Sequence, residues 1–318
     1  MSATLTQFSK LKSSPPPNPQ GKRKAKPFLK WAGGKGQLVE EIRKFYPTEL
    51  GRSIDRYAEP FVGGGAILFD ILSTYSIREV YISDSNKELI NVYTCLRDSP
   101  RSLIALLKKY ESEYLPLTDE FRREIYYRKR KQFNALKKKG KDGCQIAALF
   151  VFLNKTCFNG LYRVNSKGEF NVPMGRYKHP SICDATNLQN ASDLLKGADI
   201  RCADYRDSES FIDQNTFVYF DPPYRPLSLT SSFTSYTEQS FNDDCQRELA
   251  QYIKHLDAKN IYVVASNSDP KNTDVNDDFF DNLYAGMEIN RISATRMINS
   301  RATSRGVISE LLICSKRR

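Results

Sequence analysis

Histidine is scarce in this 318-residue chain, which has two, and its seven cysteines form no Cys-x-x-Cys pair. Zinc sites need several such ligands at short spacings, and disulfide-stapled domains need paired cysteines. We therefore expect no metal site and no disulfide framework, with the thiols reduced. No apolar run approaches the roughly 20 residues of a membrane span, and the N-terminus lacks the apolar segment of a signal peptide. These absences favour an intracellular, cytoplasmic protein without a membrane anchor.

Acidic residues are fewer than basic ones: the chain has 37 Asp and Glu and 48 Lys and Arg, which gives a formal net charge of +11. Such an excess favours a polyanionic partner, with nucleic acid the first candidate and an anionic membrane the second. The first 26 residues contain three consecutive prolines and the basic cluster Lys22–Lys24, with few apolar side chains. This composition predicts a disordered basic tail over residues 1–26.

The segment Thr216–Phe220 is rich in β-branched and aromatic residues, which predicts a buried strand that the two following prolines end. Asp221 then lies at the carboxyl end of a strand, where open α/β sheets bind their ligands. Beside it stand the carbonyl of Pro222, held nearly rigid by the proline rings, and the ring of Tyr224. Two acceptors and a ring suit an exocyclic amino group on a planar base. The alternative is a structural Pro-Pro turn with Tyr224 on the surface.

A second pattern is a strand, glycine loop and helix, in which Arg56–Glu59 leads to Gly63–Gly65. Glycines allow a nucleotide to approach the backbone closely, but Leu68 replaces the last small residue of the dinucleotide pattern. A further strand, Glu79–Ser83, ends on Asp84, about 20 residues after the glycines, where an acid can bind ribose hydroxyls. These features predict a Rossmann-type nucleotide site without the full NAD signature. A helix-capping role for Asp84 is the alternative.

From about Asp98 to Asn187 the α/β pattern is interrupted by helical segments, of which Arg122–Lys141 is strongly basic. The end of that stretch is a candidate patch for phosphate contacts, formed by Lys137, Lys138 and Lys139. A solvated helix face is the usual alternative for such a run.

Alternating residues on both sides of the turn Ser166–Gly168 predict a β-hairpin. A two-stranded ribbon fits the major groove of DNA, where an arginine such as Arg163 can pair with guanine through two hydrogen bonds. Equally, Arg163 is an exposed strand charge.

After Asn187 the α/β pattern resumes with predicted strands at 200–204, 261–265 and 307–313. The Ser/Thr-rich segment 226–236 predicts a mobile lid beside Asp221. A polar, basic loop is expected between the last two strands, from Arg291 to Arg301.

Five segments, in order, carry a family resemblance: FLKWAGGK (28–35), AEPFVGGG (58–65), Asp84, FNGLYRVNSKGEFNVP (158–173) and DPPY (221–224). Together they resemble the Dam-type (D12 class, α group) DNA adenine-N6 methyltransferases, from about Pro27 to the C-terminus. The resemblance implies a Rossmann-like α/β methyltransferase sheet with an inserted, mainly helical target-recognition domain carrying a β-hairpin. The catalytic domain would comprise residues 27–97 and 188–318, and the DNA-recognition insertion residues 98–187.

The same resemblance implies roles for three groups of residues. Those at the cofactor, S-adenosylmethionine, are Trp31, Lys35, Glu59, Phe61, Gly63, Gly65, Asp84 at the ribose and Asp204 at the adenine. Those that grip the target adenine are Asp221, Pro222 and Tyr224, with Trp31 and Lys35 close by. Those at the DNA bases are Asn159, Leu161 and Arg163.

The implied reaction is methyl transfer from S-adenosylmethionine to N6 of an adenine flipped out of double-stranded DNA, within GATC. The implied enzyme is a monomer, with a cognate restriction endonuclease for the same site as a further partner. Two alternatives stay open. One is an RNA adenine methyltransferase using the same tetrapeptide, and the other is a noncatalytic DNA-binding regulator with the same fold.

Overall fold

The structure, a computed structural model, describes residues 24–225, 241–295 and 307–316. These residues form a sheet of seven strands in the order β3-β2-β1-β4-β5-β7-β6. The first five in that order are parallel, and β7 is antiparallel to both of its neighbours. The strands are β1 (Arg56–Glu59), β2 (Glu79–Asp84), β3 (Asp199–Cys202), β4 (Thr216–Phe220), β5 (Tyr262–Ser268), β6 (Glu288–Thr295) and β7 (Val307–Cys314).

The α-helices of the described residues cover both faces of this sheet, and none of them is long and apolar enough to cross a lipid bilayer. The predicted mixed α/β, Rossmann-like fold class is confirmed. The helices are α1 (Val39–Arg43), α2 (Ala66–Thr74), α3 (Lys87–Asp98), α4 (Pro100–Tyr114), α5 (Asp119–Lys138), α6 (Cys144–Thr156), α7 (Ala185–Leu194), α8 (Asp243–Ala258) and α9 (Phe279–Leu283).

Strand β4 lies at the centre of the sheet and is buried along its whole length. Because side chains alternate between the two faces of a strand, Phe217 and Tyr219 pack in one apolar cluster, whereas Val218 and Phe220 pack in the other. Strands covered on both faces are continuous apolar runs, which is why this segment was recognisable in the sequence.

The chain passes from β1 to β2 on one side, and β4 pairs with β1 on the other side, with Ala58 opposite Val218. The carboxyl ends of β1 and β4 therefore meet where the strand order reverses, the usual position of a ligand crevice in such sheets. Glu59 is the last residue of β1, and Asp221 directly follows β4. The fold thus brings two acidic residues that are far apart in sequence to one edge.

Helices α4, α5 and α6 are inserted between α3 and α7. The apolar stretch Ile146–Leu153 of α6 is buried and belongs to the same cluster as Phe217 and Tyr219 of the sheet. The inserted helices therefore share a core with one face of the sheet. The expected boundary between residues 187 and 188 lies within α7, and the division into two domains stays a prediction.

The sequence predicts a polar loop from Arg291 onward. This prediction is wrong for residues 291–295, because β6 extends from Glu288 to Thr295. Arg291 lies in this strand at the edge of the sheet, where its guanidinium pairs with Asp269 at 3.0 Å and Asp281 at 2.7 Å. An edge strand with a solvated face needs few apolar residues, so its sequence is typical of a loop. The rest of that loop and the expected lid at 226–236 lie outside the described residues.

The expected tail of residues 1–26 also needs a correction at its end. The backbone N–H of Lys26 donates to Asn187 Oδ1 at 2.8 Å, and Asn187 Nδ2 donates back to the Lys26 carbonyl at 3.0 Å. Asn190 Nδ2 donates to the Lys24 carbonyl at 3.0 Å. Residues 24–26 are thus held on α7, and residues 1–23 lie outside the described part of the chain.

Candidate active site

Asp221 is held through one of its two carboxylate oxygens. Lys35 Nζ lies 2.7 Å from Oδ1, and the Ser266 hydroxyl of β5 donates to the same atom at 3.0 Å. Within the described residues no hydrogen bond or ion pair involves Oδ2. The side chain is therefore fixed in place while one acceptor oxygen stays available to a ligand.

Lys35 is buried, with 3% of its surface exposed, although it carries a charge. A buried ammonium needs several partners to offset its lost hydration. Its Nζ donates to the Gly33 carbonyl at 2.8 Å and lies 4.5 Å from the centre of the Tyr224 ring. It also lies 4.0 Å from Glu310 Oε2 in β7. The lysine thus joins the two carboxylates and the tyrosine ring.

The Tyr224 hydroxyl donates to Glu310 Oε2 at 2.7 Å. Burial, followed by the charges of Asp221 and Glu310, raises the pKa of Tyr224 well above its usual value, so the hydroxyl stays protonated and keeps donating. We call the group of side chains Lys35, Asp221, Tyr224, Ser266 and Glu310 the reaction pocket.

The backbone of the DPPY tetrapeptide is anchored from the helix that follows it. Gln246 of α8 donates through Nε2 to the Pro223 carbonyl at 3.0 Å, and Asn267 of β5 orients Gln246 with a hydrogen bond of 3.0 Å. Next in the chain, Arg225 pairs with Asp243 at 2.8 Å and Asp277 at 2.7 Å. The tetrapeptide is therefore fixed at both ends.

Glu59 lies at the end of β1 with 2% of its surface exposed. Burial raises the pKa of its carboxyl well above the usual range, and the charge of Asp221 adds to this. The Tyr57 hydroxyl, which donates at 2.7 Å, lowers it in part. Glu59 is thus a strongly desolvated acid within the crevice edge.

The glycine loop after β1 is packed against Trp31. Gly63 has φ +47°, and a Cβ there would lie 2.8 Å from Trp31 Cδ1. Gly65 has φ +71°, and a Cβ there would lie 2.6 Å from the Tyr93 hydroxyl. A side chain at either position would collide with these rings, so glycine is required for both conformation and space.

Asp84 closes the other side of this loop. Its Oδ2 accepts from the Gly63 N–H at 3.1 Å, and its Oδ1 accepts from the Asn86 N–H at 2.9 Å. Burial raises the pKa of Asp84. A carboxylate oxygen accepts more than one hydrogen bond, so the group retains acceptor capacity for a ligand hydroxyl.

Aromatic rings line the next part of the edge, where Phe61 stacks on Tyr205 with centroids 5.5 Å apart at 27°. Asp204 accepts from the Arg206 backbone N–H at 3.0 Å and pairs with the Arg206 side chain at 2.7 Å. Lys35 lies in the reaction pocket, whereas the other predicted cofactor residues lie along the carboxyl edge of β1 to β3 or pack on it. Their roles at the cofactor stay predictions.

The segment Cys157–Met174, which we call the recognition loop, is a shorter hairpin than the sequence predicts. Its ends meet in a bridge between Cys157 and Met174, and its arms meet in one between Val164 and Phe170. Near the second bridge, Asn171 N–H donates to the Arg163 carbonyl at 3.1 Å. The loop turns back as expected but forms no continuous pair of strands.

Side chains of α5 take the place of a longer strand ladder. Asn134 bonds both backbone groups of Phe170, through Nδ2 to its carbonyl at 3.0 Å and through Oδ1 from its N–H at 2.9 Å. Arg130 donates to the Val172 carbonyl at 3.2 Å, and Tyr126 to the same oxygen at 2.8 Å. Residues four apart share one helix face, so one face of α5 holds the loop.

The predicted base-contacting residues differ in exposure. Arg163 is exposed, and its Nε donates to Asn171 Oδ1 at 2.8 Å. Asn159 is exposed with φ +53°, and Leu161 is partly buried. Gly160 between them has φ +64°, and a Cβ there would lie 2.3 Å from Lys30 Cβ. The loop thus exposes Asn159 and Arg163 to solvent, while Gly160 between them is tightly packed against Lys30.

The predicted lysine patch is divided. Lys138 and Lys139 are exposed at the end of α5. Lys137 instead pairs with Glu88 at 3.1 Å and donates to the Tyr162 hydroxyl at 2.8 Å. Lys137 is therefore engaged within the protein, which makes it a poor candidate for phosphate contacts.

One buried side chain contacts both regions. Asn154 of α6 accepts from the Lys30 N–H at 2.9 Å and donates to the Lys30 carbonyl at 2.7 Å and to the Gly160 carbonyl at 2.9 Å. Lys30 precedes Trp31, which packs on the glycine loop, and Gly160 lies in the recognition loop. Asn154 thus links the segment that packs on the glycine loop to the recognition loop.

A family model described as D12 class N6 adenine-specific DNA methyltransferase matches residues 31–298, which include the reaction pocket except Glu310 and all of the recognition loop. The chain belongs to this family. It is an adenine-specific DNA methyltransferase, and the resemblance stated from the five segments is confirmed.

Relatives of this methyltransferase match along nearly its whole length. It is 48% identical to the type II methyltransferase M.MjaIII of Methanocaldococcus jannaschii, over 91% of this chain and 98% of that protein. It is 35% identical to the type II methyltransferase M1.LlaDCHI of Lactococcus lactis subsp. cremoris, over 91% and 94%. It is 34% identical to the DNA adenine methylase of Escherichia coli, over 92% and 96%.

Sequence reasoning missed several residues of this methyltransferase's site. Glu310 had a signal, because it is the only charged residue in the apolar run 307–313. No sequence signal marks the other missed residues, because polar residues of these types are common in helices and at strand ends. They are Ser266, Gln246, Asn154 and Asn134. Their roles depend on partners far away in the sequence.

Proposed function

We propose that this methyltransferase transfers a methyl group from S-adenosylmethionine to N6 of an adenine rotated out of duplex DNA, within GATC. The observation that carries the proposal is the geometry of Asp221, whose Oδ1 is held by Lys35 and Ser266 while Oδ2 has no partner among the described residues. The Pro222 carbonyl and the Tyr224 ring are fixed next to it by the anchored tetrapeptide.

This arrangement fits the chemistry of an exocyclic amine. The N6 lone pair is delocalised into the adenine ring, which makes the nitrogen a poor nucleophile. Asp221 Oδ2 and the Pro222 carbonyl can accept its two hydrogens and favour a pyramidal, more nucleophilic nitrogen. Both acceptors are held in place before the substrate arrives, so catalysis by positioning and electrostatics is supported. Oδ2 of Asp221 is then placed to receive the proton that N6 releases.

The glycine loop and its surroundings fit S-adenosylmethionine as the donor. Gly63 and Gly65 leave space that a Cβ would fill, Asp84 retains acceptor capacity for ribose hydroxyls, and Phe61 stacks with Tyr205 where an adenine ring would lie. When bound, the sulfonium of this donor supplies an activated methyl group.

An adenine inside a duplex is inaccessible to this pocket, so the proposal includes its extrusion, at a cost of a few kcal/mol. Stacking on the Tyr224 ring offsets part of that cost. The recognition loop offers Arg163 and Asn159 to the base edges. The GATC target is proposed from the similarity of this loop to those of family members that modify that site.

The experiment is labelled methyl transfer from S-adenosylmethionine to four substrates: a duplex with one GATC site, a duplex with those bases scrambled, duplex RNA and single-stranded RNA. We expect incorporation into the first alone, and digestion with methylation-sensitive nucleases to locate the label. Label in the scrambled duplex would reject the GATC target, and label in RNA would support the alternative substrate. DNA binding without incorporation at saturating cofactor would identify a noncatalytic regulator.

We also propose a monomeric enzyme that works beside a restriction endonuclease of the same site. The restriction endonuclease is supported by two relatives that are named type II methyltransferases. Light scattering after size exclusion tests the monomer, and resistance of the methylated duplex to endonucleases that cut GATC tests the shared site.

A further inference from the structure

Glu310 is a carboxylate in an apolar part of β7, followed by Leu311, Leu312 and Ile313, each at most 1% exposed. Its own side chain is 17% exposed. A charge in such surroundings costs free energy unless hydrogen bonds and ion pairs replace the lost water. The proposed reaction uses Asp221, Pro222 and Tyr224 and gives Glu310 no role, so its place beside them calls for an explanation.

The contacts of Glu310 lead to the target-base ring. Its Oε2 accepts from the Tyr224 hydroxyl at 2.7 Å, the usual length of an O–H···O hydrogen bond. Lys35 Nζ is 4.0 Å from the same oxygen but 2.7 Å from Asp221 Oδ1. The lysine is therefore bonded to Asp221, whereas the direct hydrogen bond of Glu310 is to Tyr224.

A tyrosine ring turns about two side-chain bonds, and its near end is set by the backbone of the tetrapeptide. A hydrogen bond at the hydroxyl fixes the far end, and with it the plane of the ring. The base that stacks on this ring must present N6 to Asp221 Oδ2 and to the Pro222 carbonyl together. A change of ring plane therefore misplaces the reacting nitrogen, and errors of about 1 Å at such a distance are enough to slow a reaction about 100-fold.

We propose that Glu310 is a positioning residue for methyl transfer, which fixes the plane of the Tyr224 ring so that the stacked adenine presents N6 to Asp221. This inference rests on the proposed function. It assigns Glu310 no contact with substrate or cofactor, and its effect passes through the Tyr224 hydroxyl.

The test compares Glu310→Ala, Glu310→Gln, Tyr224→Phe and the double variant Glu310→Ala/Tyr224→Phe in single-turnover methylation at saturating cofactor and GATC duplex. We expect Glu310→Ala to slow the transfer about 10-fold to 100-fold, with the dissociation constants of DNA and cofactor within about twofold of the wild type. Glu310→Gln keeps an acceptor oxygen for the hydroxyl and should recover most of the rate. Glu288→Ala, at an exposed position of β6, is the matched control and should leave the rate unchanged.

The decisive comparison is between backgrounds. When Tyr224 is already phenylalanine, Glu310→Ala should slow the transfer by less than about threefold, because the hydroxyl through which it acts is gone. An equal loss in both backgrounds, or full activity in Glu310→Ala, would overturn the inference while wild-type turnover leaves the proposed function intact. Absence of transfer by the wild type would reject both together.

The emission of 2-aminopurine placed at the target position provides a second measurement. Stacking on Tyr224 quenches this base, so Glu310→Ala should raise its emission in the bound duplex while Glu310→Gln should not. Unchanged emission in Glu310→Ala would count against the inference even if the rate had fallen, because a general loss of fold stability changes rate without changing the stacking of the bound base.

Discussion

The reaction pocket and the recognition loop are held in different ways. In the pocket, side chains from β5, β7, the segment after β4 and the short turn at Lys35 bond directly to one another, with Lys35 paired to Asp221 and Tyr224 bonded to Glu310. In the loop, the backbone is bonded by neutral and basic side chains of α5, such as Asn134 at Phe170. The pocket thus fixes side chains, and the loop fixes a path of backbone that leaves Arg163 exposed.

Because the two regions are held differently, substitutions in the pocket and in the loop should have different effects on methylation. A changed pocket residue alters the reacting geometry and should lower the rate on every DNA sequence. A changed loop residue alters which bases are contacted and should lower the discrimination between sequences. Asn154 is bonded to Lys30, beside the glycine loop, and to Gly160 in the recognition loop, so its loss should lower both the rate and the discrimination.

The largest effect is expected for Asp221→Ala. Loss of the acceptor for N6 removes an interaction made at the reacting atom, and such losses cost about 100-fold to 1,000-fold in rate. Binding of S-adenosylmethionine, measured by calorimetry, should stay within about threefold because the glycine loop is untouched. Asp244→Ala, an acid of α8 with 80% of its side chain exposed, is the matched control. Near-normal turnover of Asp221→Ala would remove the tetrapeptide from the mechanism.

Arg163→Ala should relax discrimination at one guanine of the site by about 1–3 kcal/mol, because a paired contact to a base edge is lost. The measurement is the ratio of methylation rates on GATC and on duplexes with single base changes. Lys167→Ala, at the exposed turn of the same loop, should weaken binding to all sequences alike. If Arg163→Ala keeps the full discrimination, the readout belongs to another residue and the loop loses its assigned role.

Asn154→Ala should reduce both rate and discrimination, each by about 1 kcal/mol, since three hydrogen bonds between the two regions are lost. The assay is the same pair of measurements on one preparation. Asn282→Ala, an exposed asparagine of α9, serves as the control. A fall in rate with intact discrimination would show that the loop does not depend on this link.

The parts of the fold and site that depend on local sequence could be predicted. The buried strand β4, its end at two prolines and the acid beyond it follow from neighbouring residues, as do Asp84 after β2 and the glycines after β1. Pairing of the sheet was beyond local patterns. Glu310 comes to Tyr224 only because β7 inserts between β5 and β6 and runs antiparallel to both.

The recognition loop shows a second limit. The alternation of its side chains correctly predicted that the chain reverses direction. It also predicted two paired strands, whereas the loop contains only two isolated bridges. The backbone groups of Phe170 and Val172 that a ladder would use are bonded by Asn134, Arg130 and Tyr126. Single polar residues on a basic helix carry no local signal of such a partner.

A smaller effect, on stability, is expected for Glu59→Gln. Since burial raises the folded-state pKa of Glu59 above its unfolded value of about 4.3, the folded protein keeps a proton that the unfolded chain loses as pH rises. The free energy of unfolding therefore falls with pH in this window. Gln keeps the bond from Tyr57 and removes the titration, so the Tm of Glu59→Gln relative to that of the wild type should rise as the pH increases above about 4.3. Glu49→Gln, at an exposed site, should show no such trend, and a constant advantage of Glu59→Gln would refute burial as the cause.

The smallest effects are expected at the N-terminal segment. Like the recognition loop, it is held by hydrogen bonds from asparagine side chains to its backbone. Asn187 and Asn190 of α7 bond the backbone of Lys26 and Lys24, as Asn134 bonds that of Phe170. Deleting residues 1–23 should leave Tm unchanged and only reduce salt-sensitive DNA binding through the lost basic residues. Deleting residues 1–26 also removes these hydrogen bonds and should lower the free energy of unfolding. The expected loss is only about 1 kcal/mol because the bonds are partly exposed. Equal Tm values for the two truncations would show that asparagine side chains of this kind do not stabilise the backbone they hold, and would weaken the same argument for the loop.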